Sequence, residues 1–230
     1  DWKYAATRCQ TSIWTGGLDD GPMWLGVHGF TGTGADFGPW FEQLSSNLYW
    51  EAPDLPGHGG FGGLEVSSMG CCSAMLQSRI EAASREVLLV GYSLGGRVAL
   101  NFAAQFSHLI GGLVLIGASP GIRDEVQREE RLRWEGELCD RLERDGVDAF
   151  MRYWQSLPII ETQKRIPASV WRLMQERRKQ ASAQGLITSI RTMGTGSMVS
   201  LWDELKNIHC PVLYCAGQED EKYCRIGREV

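Results

Sequence analysis

Short apolar runs alternate with segments of helical periodicity over the first half of the chain. The apolar runs are strand-sized and cover residues 23–27, 48–52, 87–90 and 113–116. Between the second and third runs, residues 71–85 place Met75, Leu76 and Ile80 on one face of a helix. Strands that alternate with helices in this way form mainly parallel sheets with helices on both faces. The pattern therefore predicts an α/β core.

The second half of the chain departs from this alternation. Residues 123–196 contain several helical stretches, rich in Arg, Glu and Gln, and no convincing strand. An apolar run at residues 211–216 then predicts a further buried strand. We expect an α/β core formed by residues 1–119 and 200–230, with a helical cap inserted at residues 120–199.

The most informative motif is Gly91-Tyr92-Ser93-Leu94-Gly95, which follows an apolar run and opens a helical segment. A strand, a sharp turn and a helix, with a serine at the apex of the turn, are typical of the nucleophile elbow of α/β-hydrolases. The turn strains the serine backbone, and a Cβ at the flanking glycines would collide with the neighbouring strand or helix. Ser93 is therefore the candidate nucleophile or base at the carboxyl edge of the sheet.

Two further groups would complete such a site. Asp220 follows the late strand, in the order serine, acid, histidine that this fold uses. Alternatively, its carboxylate caps a helix that begins near residue 221. The backbone N–H groups of Leu94 and Phe30 are expected to form an oxyanion hole, which binds the negative charge that develops on a substrate oxygen.

The histidine that this arrangement requires is not evident. The chain has four histidines, at positions 28, 58, 108 and 209, and all of them precede Asp220. The predicted elements place none of them to take a proton from Ser93. We expect either that a last strand, a last helix and the catalytic histidine are missing from the sequence, or that the chain is an inactive variant. The short remainder after Asp220 favours the first.

Composition and charge exclude several classes of function. The 230 residues are 43% hydrophobic and 22% charged, with a net charge of −5, which is ordinary for a globular protein. No basic run indicates binding to nucleic acid or to an anionic membrane surface, and no apolar run is long enough to cross a bilayer. The seven cysteines form no C-x-x-C pair and are not spaced with histidines as zinc ligands. We therefore expect reduced thiols, a reducing compartment and no metal.

Arg97 lies one helical turn after Ser93 and shares its helix face. A guanidinium near the floor of a pocket would bind a carboxylate in bidentate geometry. The alternatives are a solvated helix face and a structural ion pair, and the residues alone leave the three possibilities open.

Taken together, several segments resemble one branch of the α/β-hydrolase superfamily, the 2-succinyl-6-hydroxy-2,4-cyclohexadiene-1-carboxylate synthases of menaquinone and phylloquinone biosynthesis. The matching segments are residues 27–32, 54–59, 91–97, 119–121, 154–158, 193–196, 200–202 and 217–223. The more specific matches are Tyr92 with Arg97, and the Gly-Thr-Gly and Ser-Leu-Trp elements that follow the cap helices. The resemblance covers nearly the whole chain.

The resemblance implies a cofactor-free lyase that eliminates pyruvate from 2-succinyl-5-enolpyruvyl-6-hydroxy-3-cyclohexene-1-carboxylate. Ser93 matches the residue that acts as the base on carbon, and Asp220 matches the acid of the triad. The residues that match substrate-binding positions are Tyr92, Arg97, Arg131, Trp154 and Arg178. Arg177 and Lys179 adjoin Arg178 and compete for that last match.

Two rival functions remain open at this point. One is a carboxylesterase or carbon–carbon bond hydrolase with the same triad, and the other is a non-catalytic binding domain that has lost its histidine. The expected partner is a small anionic polycarboxylate, with no nucleic acid and no membrane insertion. The cysteines fit the cytoplasm or the plastid stroma, where this pathway step can be part of a larger multidomain polypeptide.

Overall fold

The computed structural model describes residues 13–17, 21–44, 48–62 and 69–230. Its strands are β1 (Ile13–Gly16), β2 (Met23–Val27), β3 (Trp50–Pro53), β4 (Val87–Tyr92), β5 (Gly112–Ile116) and β6 (Val212–Cys215). Its α-helices are α1 (Gly38–Leu44), α2 (Met69–Ala82), α3 (Leu94–Phe106), α4 (Glu125–Ser156), α5 (Pro158–Glu161), α6 (Ala168–Lys179), α7 (Ala183–Met193) and α8 (Glu221–Glu229). The sequence also predicts strand-like pieces from residue 2 onward, of which residues 2–12 lie outside the described part of the chain.

The six strands form one sheet in the order β1-β3-β2-β4-β5-β6. Strand β1 runs antiparallel to β3, and every other neighbouring pair is parallel, which confirms the mainly parallel sheet. The chain runs from β2 outward to β3 and then crosses to β4 on the other side of β2. Ligands of open α/β sheets bind at such a switch point, in the crevice at the carboxyl ends of the strands.

Side chains of neighbouring strand positions pack on opposite faces of the sheet. Leu89 and Leu113 belong to a cluster with apolar residues of α2 and α3. Val90, by contrast, packs with Phe41 of α1 on the other face, and Val114 lies against that second cluster. This alternation is the two-residue period of a strand, so helices cover both faces as predicted.

The four helices α4 to α7 lie between β5 and β6, together with a 3₁₀ turn at Thr162–Arg165. Their own core includes Leu138 of α4 and Ile190 of α7. Helix α4 is kinked at Gly146, whose φ is 73° and ψ 175°. The stretch without strands agrees with the predicted helical cap, whereas the division of the chain at residues 119 and 199 stays a prediction.

The apolar run at residues 211–216 contains a strand, as predicted, but the prediction that this strand is buried was wrong. Strand β6 is an edge strand, and Val212 and Leu213 are 43% and 59% exposed. Leu213 pairs with Val114 and therefore lies on the α1 face of the sheet, where no described helix covers it. Helix α8 packs on the opposite face, with Gly227 against the ring of Tyr214.

Backbone contacts at the turn between β4 and α3 leave no room for side chains. Gly95 lies so close to the end of β2 that a Cβ at this position would overlap the carbonyl group of Val27. A Cβ on Gly91 would lie 2.5 Å from the Cα of Gly96. These contacts determine where α3 begins relative to the sheet.

We expect Gly95→Ala to lower the free energy of unfolding by about 3 kcal/mol, because the added methyl group overlaps backbone that moves only if β2 shifts. The matched control is Gly136→Ala in α4, where nothing lies within 4 Å of the added Cβ. That change should be neutral or stabilise the protein by up to ~1 kcal/mol, since alanine favours a helix. Urea denaturation measures both variants, and equal stabilities would contradict the packing assigned to the turn.

Candidate active site

The loop after β2 and the turn after β4 meet at the switch point of the sheet. Strands β2 and β4 pair in a register that places Val27 beside Gly91, so the two strands end together. A Cβ on Gly29 would lie 2.9 Å from the ring of Tyr92 and 3.5 Å from the Cβ of Ser93. The loop that carries Phe30 therefore lies directly against the turn that carries the serine.

Ser93 has the strained backbone that the sequence predicts for it. Its φ of 52° and ψ of −109° are costly for a residue with a side chain. The N–H of Ser93 donates to the carbonyl oxygen of Ile116 at 2.9 Å, and its own carbonyl accepts from the N–H of Arg97 at 3.1 Å. Strand β5 and helix α3 thus hold the serine in this conformation.

The two predicted oxyanion donors are next to the serine. Leu94 is the first residue of α3, so its N–H has no acceptor within the helix. The N–H of Phe30 donates to no backbone carbonyl within the described part of the chain. Both residues line a cavity together with Ser93. Their N–H groups can therefore bind a substrate oxygen, and their role as an oxyanion hole stays a prediction.

Two cavities meet at Ser93. The first has a volume of about 400 Å³ and the second about 510 Å³. Four residues line both of them, namely Phe30, Ser93, Trp154 and Ile160. The first cavity extends to Arg97 and Arg131, and the second extends to Tyr92 and Arg178. The structure thus divides the predicted substrate-binding residues between two spaces on either side of the serine.

Arg97 is a buried cation of the first cavity. Its side chain is only 8% exposed, and its Nη2 donates to the carbonyl oxygen of Met193 at 2.9 Å. The Nε has no partner, and no carboxylate of the described residues forms an ion pair with it. Burial lowers the pKa of Arg97 to about 10, so the side chain is still charged at neutral pH. The surface and ion-pair alternatives from the sequence are both wrong.

Arg131 enters the same cavity with a carboxylate partner. Its Nε donates to Glu135 at 2.7 Å, and its guanidinium lies 4.4 Å from the centre of the Trp134 ring. Glu135 is buried and also accepts from the N–H of Gly196 at 3.2 Å. The charge of Arg131 is therefore partly balanced within the protein.

Arg178 is the buried cation of the second cavity. It is 4% exposed, and desolvation lowers its pKa. Its Nη2 donates to Oε1 of Gln163 at 2.8 Å, while Nε and Nη1 have no hydrogen-bond partner among the described residues. Of the two neighbours that compete for this position in the sequence, Arg177 pairs with Asp36 at 2.6 Å and Lys179 is exposed.

Tyr92 and Trp154 form walls between the core and the cap helices. The hydroxyl of Tyr92 accepts a hydrogen bond from Nε2 of Gln163 at 3.4 Å. The indole of Trp154 stacks on Phe150, with ring centres 5.9 Å apart, and meets Phe30 edge to face at 5.1 Å. These contacts fix an aromatic wall that both cavities share.

Asp220 caps helix α8, which is the alternative that the sequence leaves open. Its Oδ1 accepts from the N–H of Tyr223 at 3.0 Å. This hydrogen bond leaves Oδ2 for a second donor, although Asp220 itself lines neither cavity. Its role as the acid of a triad stays a prediction.

His28 lies close to the serine, but both of its ring nitrogens are occupied. Its Nε2 accepts from the N–H of Leu55 at 2.8 Å, so the proton is on Nδ1, which donates to the carbonyl of Gly29 at 2.8 Å. Burial also lowers the pKa of His28 below the usual value for a histidine. The side chain therefore has a structural role and cannot take a proton from Ser93.

The other three histidines are not placed beside the serine either. His58 is buried outside both cavities, and desolvation lowers its pKa to about 3. His108 and His209 are exposed. His209 precedes β6 and therefore lies at the amino ends of the parallel strands, whereas Ser93 lies at their carboxyl ends. This agrees with the expectation that none of the four relays a proton for Ser93.

Two negative findings apply to the described residues alone. No set of three or more His, Cys, Asp or Glu side chains among them could hold a metal ion. No helix among them combines the length and the apolar character that crossing a membrane would require.

The site also contains several residues that are not among the candidates predicted from the sequence. Tyr223 and Ser189 line the first cavity, and the hydroxyl of Ser189 is buried with no hydrogen-bond partner in the part of the chain that the structure describes. A serine on the apolar face of α7 is a signal that the sequence does contain, and so is the four-residue spacing of Glu135 from Arg131. Gln163 lies in a short turn without periodicity, where the sequence holds no such signal.

Comparisons with known proteins agree with this geometry. Residues 25–229 match the family model described as "Alpha/beta hydrolase family". A Bacillus subtilis (strain 168) protein, provisionally named 2-succinyl-6-hydroxy-2,4-cyclohexadiene-1-carboxylate synthase, is 33% identical over 89% of this chain and 76% of its own length. A protein of that name from Salmonella schwarzengrund (strain CVM19633) is 29% identical over 93% of this chain and 84% of its own.

Solved structures give the same result. The structure of MenH from S. aureus superposes with a TM-score of 0.85 at 27% identity, and covers 95% of this chain and 84% of that one. The enol-lactonase from Burkholderia xenovorans LB400 has a TM-score of 0.77 at 15% identity over 95% and 82% of the two chains, which supports the fold alone. The chain therefore belongs to the α/β-hydrolase family and, within it, to the branch of the 2-succinyl-6-hydroxy-2,4-cyclohexadiene-1-carboxylate synthases.

Proposed function

We propose that this protein is a carbon–oxygen lyase that eliminates pyruvate from 2-succinyl-5-enolpyruvyl-6-hydroxy-3-cyclohexene-1-carboxylate. The product is 2-succinyl-6-hydroxy-2,4-cyclohexadiene-1-carboxylate, a precursor of menaquinone or phylloquinone. The names of the relatives support this assignment.

The observation that carries the proposal is the pair of buried guanidiniums, Arg97 and Arg178, on either side of Ser93. Neither forms an ion pair with a carboxylate of the described residues. A buried charge without a counter-ion costs several kcal/mol. A substrate with several carboxylates offsets this cost in both cavities at once, whereas a neutral ester offsets it in neither.

The chemistry assigned to the site begins with the removal of a ring proton by Ser93. The electrons of the C–H bond beside the succinyl group form a new ring C=C bond, and the ring double bond already present shifts by one position as the bond from the ring carbon to the enolpyruvyl oxygen breaks. The enolate of pyruvate leaves and takes up a proton. Charge that develops on the substrate carbonyl is stabilised by the N–H groups of Leu94 and Phe30, each worth about 3–4 kcal/mol of barrier. To act as the base, Ser93 must give its hydroxyl proton to an imidazole, and Asp220 would orient that imidazole.

The cap helices contribute by keeping water away from the reacting atoms. Trp154 and Ile160 line both cavities and present apolar surface beside Ser93. Exclusion of water strengthens the attraction between the arginines and the substrate carboxylates, and it favours elimination over hydrolysis.

The function is tested with the protein at its natural length. Incubation with the enolpyruvyl substrate should release pyruvate, measured by coupling to lactate dehydrogenase, and nitrophenyl esters should give no burst of nitrophenol. A burst on the esters without pyruvate release would instead assign a carboxylesterase.

We expect Ser93→Ala to lower kcat for pyruvate release by about 10²–10⁴-fold, because the general base is lost. The control Ser156→Ala changes an exposed serine of α4 and should keep full activity. Both variants should unfold at the same urea concentration as the wild type. Turnover by Ser93→Ala at a near wild-type rate would refute the role of the serine.

We expect Arg97→Gln to raise KM for the anionic substrate by about 10–100-fold, since a charged hydrogen bond contributes about 1.5–3 kcal/mol. Weak hydrolysis of a neutral nitrophenyl ester serves as the reference and should change much less. The control Arg172→Gln removes an exposed arginine of α6 and should leave both KM values unchanged. Equal losses on the anionic and the neutral compound would show that Arg97 is structural.

A further inference from the structure

The second cavity contains a guanidinium, that of Arg178, which forms no ion pair with a carboxylate of the described residues, although the charge of Asp36 in the same cavity acts on it. Arg178 is buried, and its hydrogen-bond acceptor is the neutral side-chain amide of Gln163. Its neighbour Arg177 is held by the carboxylate of Asp36. The protein therefore uses an ion pair at one of two adjacent arginines and an uncharged acceptor at the other, which is the one that lines the cavity.

Gln163 also connects Arg178 to the strand that carries the serine. Its Oε1 accepts from Nη2 of Arg178 at 2.8 Å, and its Nε2 donates to the hydroxyl of Tyr92 at 3.4 Å. Tyr92 immediately precedes Ser93 at the end of β4. The guanidinium can only donate, so it fixes which end of the amide is oxygen. A single side chain thus links α6, the turn Thr162–Arg165 and the core.

We propose that Gln163 is a positioning residue, which orients Arg178 toward an anionic group in the second cavity and leaves its positive charge free for that group. This inference rests on the proposed function, because it assigns one carboxylate of the substrate to the second cavity. The Nε and Nη1 of Arg178 are buried and have no hydrogen-bond partner among the described residues, so the described part of the chain leaves two nitrogens of the guanidinium unsatisfied.

The uncharged amide is what makes this arrangement useful. A carbonyl oxygen accepts a hydrogen bond from the guanidinium but adds no net negative charge. A carboxylate at the same place would pair with Arg178 and cancel much of its attraction for a second anion. The structure therefore predicts that glutamate at position 163 is worse for anion binding than a residue with no hydrogen-bonding group at all.

The test compares Gln163→Glu with Gln163→Ala, by KM and kcat for the enolpyruvyl substrate and by the dissociation constant of succinate. Gln163→Glu should raise KM and the dissociation constant by about tenfold or more, close to the loss in Arg178→Gln, since tenfold corresponds to about 1.4 kcal/mol. Gln163→Ala should raise both by about two- to fivefold, because Arg178 keeps its charge but loses its orientation. In both variants kcat should change less than KM.

The order of the two variants separates positioning from a merely structural link. If Gln163 only joined the cap to the core, glutamate would keep the bond to Arg178, and alanine would be the more harmful change. The control Gln127→Glu makes the same change on an exposed position of α4 and should have no effect. Thermal unfolding of each variant confirms that the fold is kept, which is expected because Gln163 is only half-buried in a short turn.

Three results would overturn the inference. The first is that Gln163→Ala raises KM and the dissociation constant of succinate more than Gln163→Glu does, and the second is that neither variant changes them. The third is that Arg178→Gln leaves the dissociation constant of succinate unchanged. The proposed function fails separately. If the wild type releases no pyruvate, but succinate binding is weakest in Gln163→Glu, the lyase assignment is lost and the role of Gln163 stands.

Discussion

The approach of Gly95 to the carbonyl group of Val27 is the contact on which the site depends. It fixes the first turn of α3 against the end of β2, and only a residue without a side chain allows it. The first N–H of α3, the strained serine and Arg97 one turn later all take their positions from this contact. A displacement of α3 would therefore move the base, an oxyanion donor and an anion-binding group together, and the geometry of the site is a property of the packing rather than of any single side chain.

The buried charges of the site are positive, whereas the net charge of the whole chain is negative. The protein has a net charge of −5, yet it buries two guanidiniums that form no ion pair with a carboxylate of the described residues. Both are held by uncharged oxygens, the carbonyl of Met193 for Arg97 and the amide of Gln163 for Arg178. Such departures from ordinary burial rules are expected at functional sites, where the ligand completes what the free protein leaves unpaired.

The features that the sequence predicts well are local, and those that it does not are set by tertiary contacts. The elbow is a strand, a glycine-flanked turn and a helix in continuous chain, so its pattern is complete in the sequence. The exposure of Leu213 depends on which elements lie over the end of the sheet, and an apolar run does not contain that information. Arg177, Arg178 and Lys179 are alike in sequence; with 3.6 residues per turn they lie on different sides of α6, and only the packing of that helix decides which one is buried.

The two edges of the cap are attached to the core by different kinds of contact, and this bears on the two arginines. On the side of α7, backbone meets backbone, because a Cβ on Gly57 would lie 2.5 Å from the carbonyl oxygen of Gly185. On the side of α6 the links are polar side chains, the Arg177–Asp36 pair and the amide of Gln163. Close backbone packing tolerates little displacement, whereas long polar side chains adjust to small displacements by changing rotamer. The position of Arg97, which donates to the end of α7, is therefore fixed by the fold, while that of Arg178 depends on how the cap is seated.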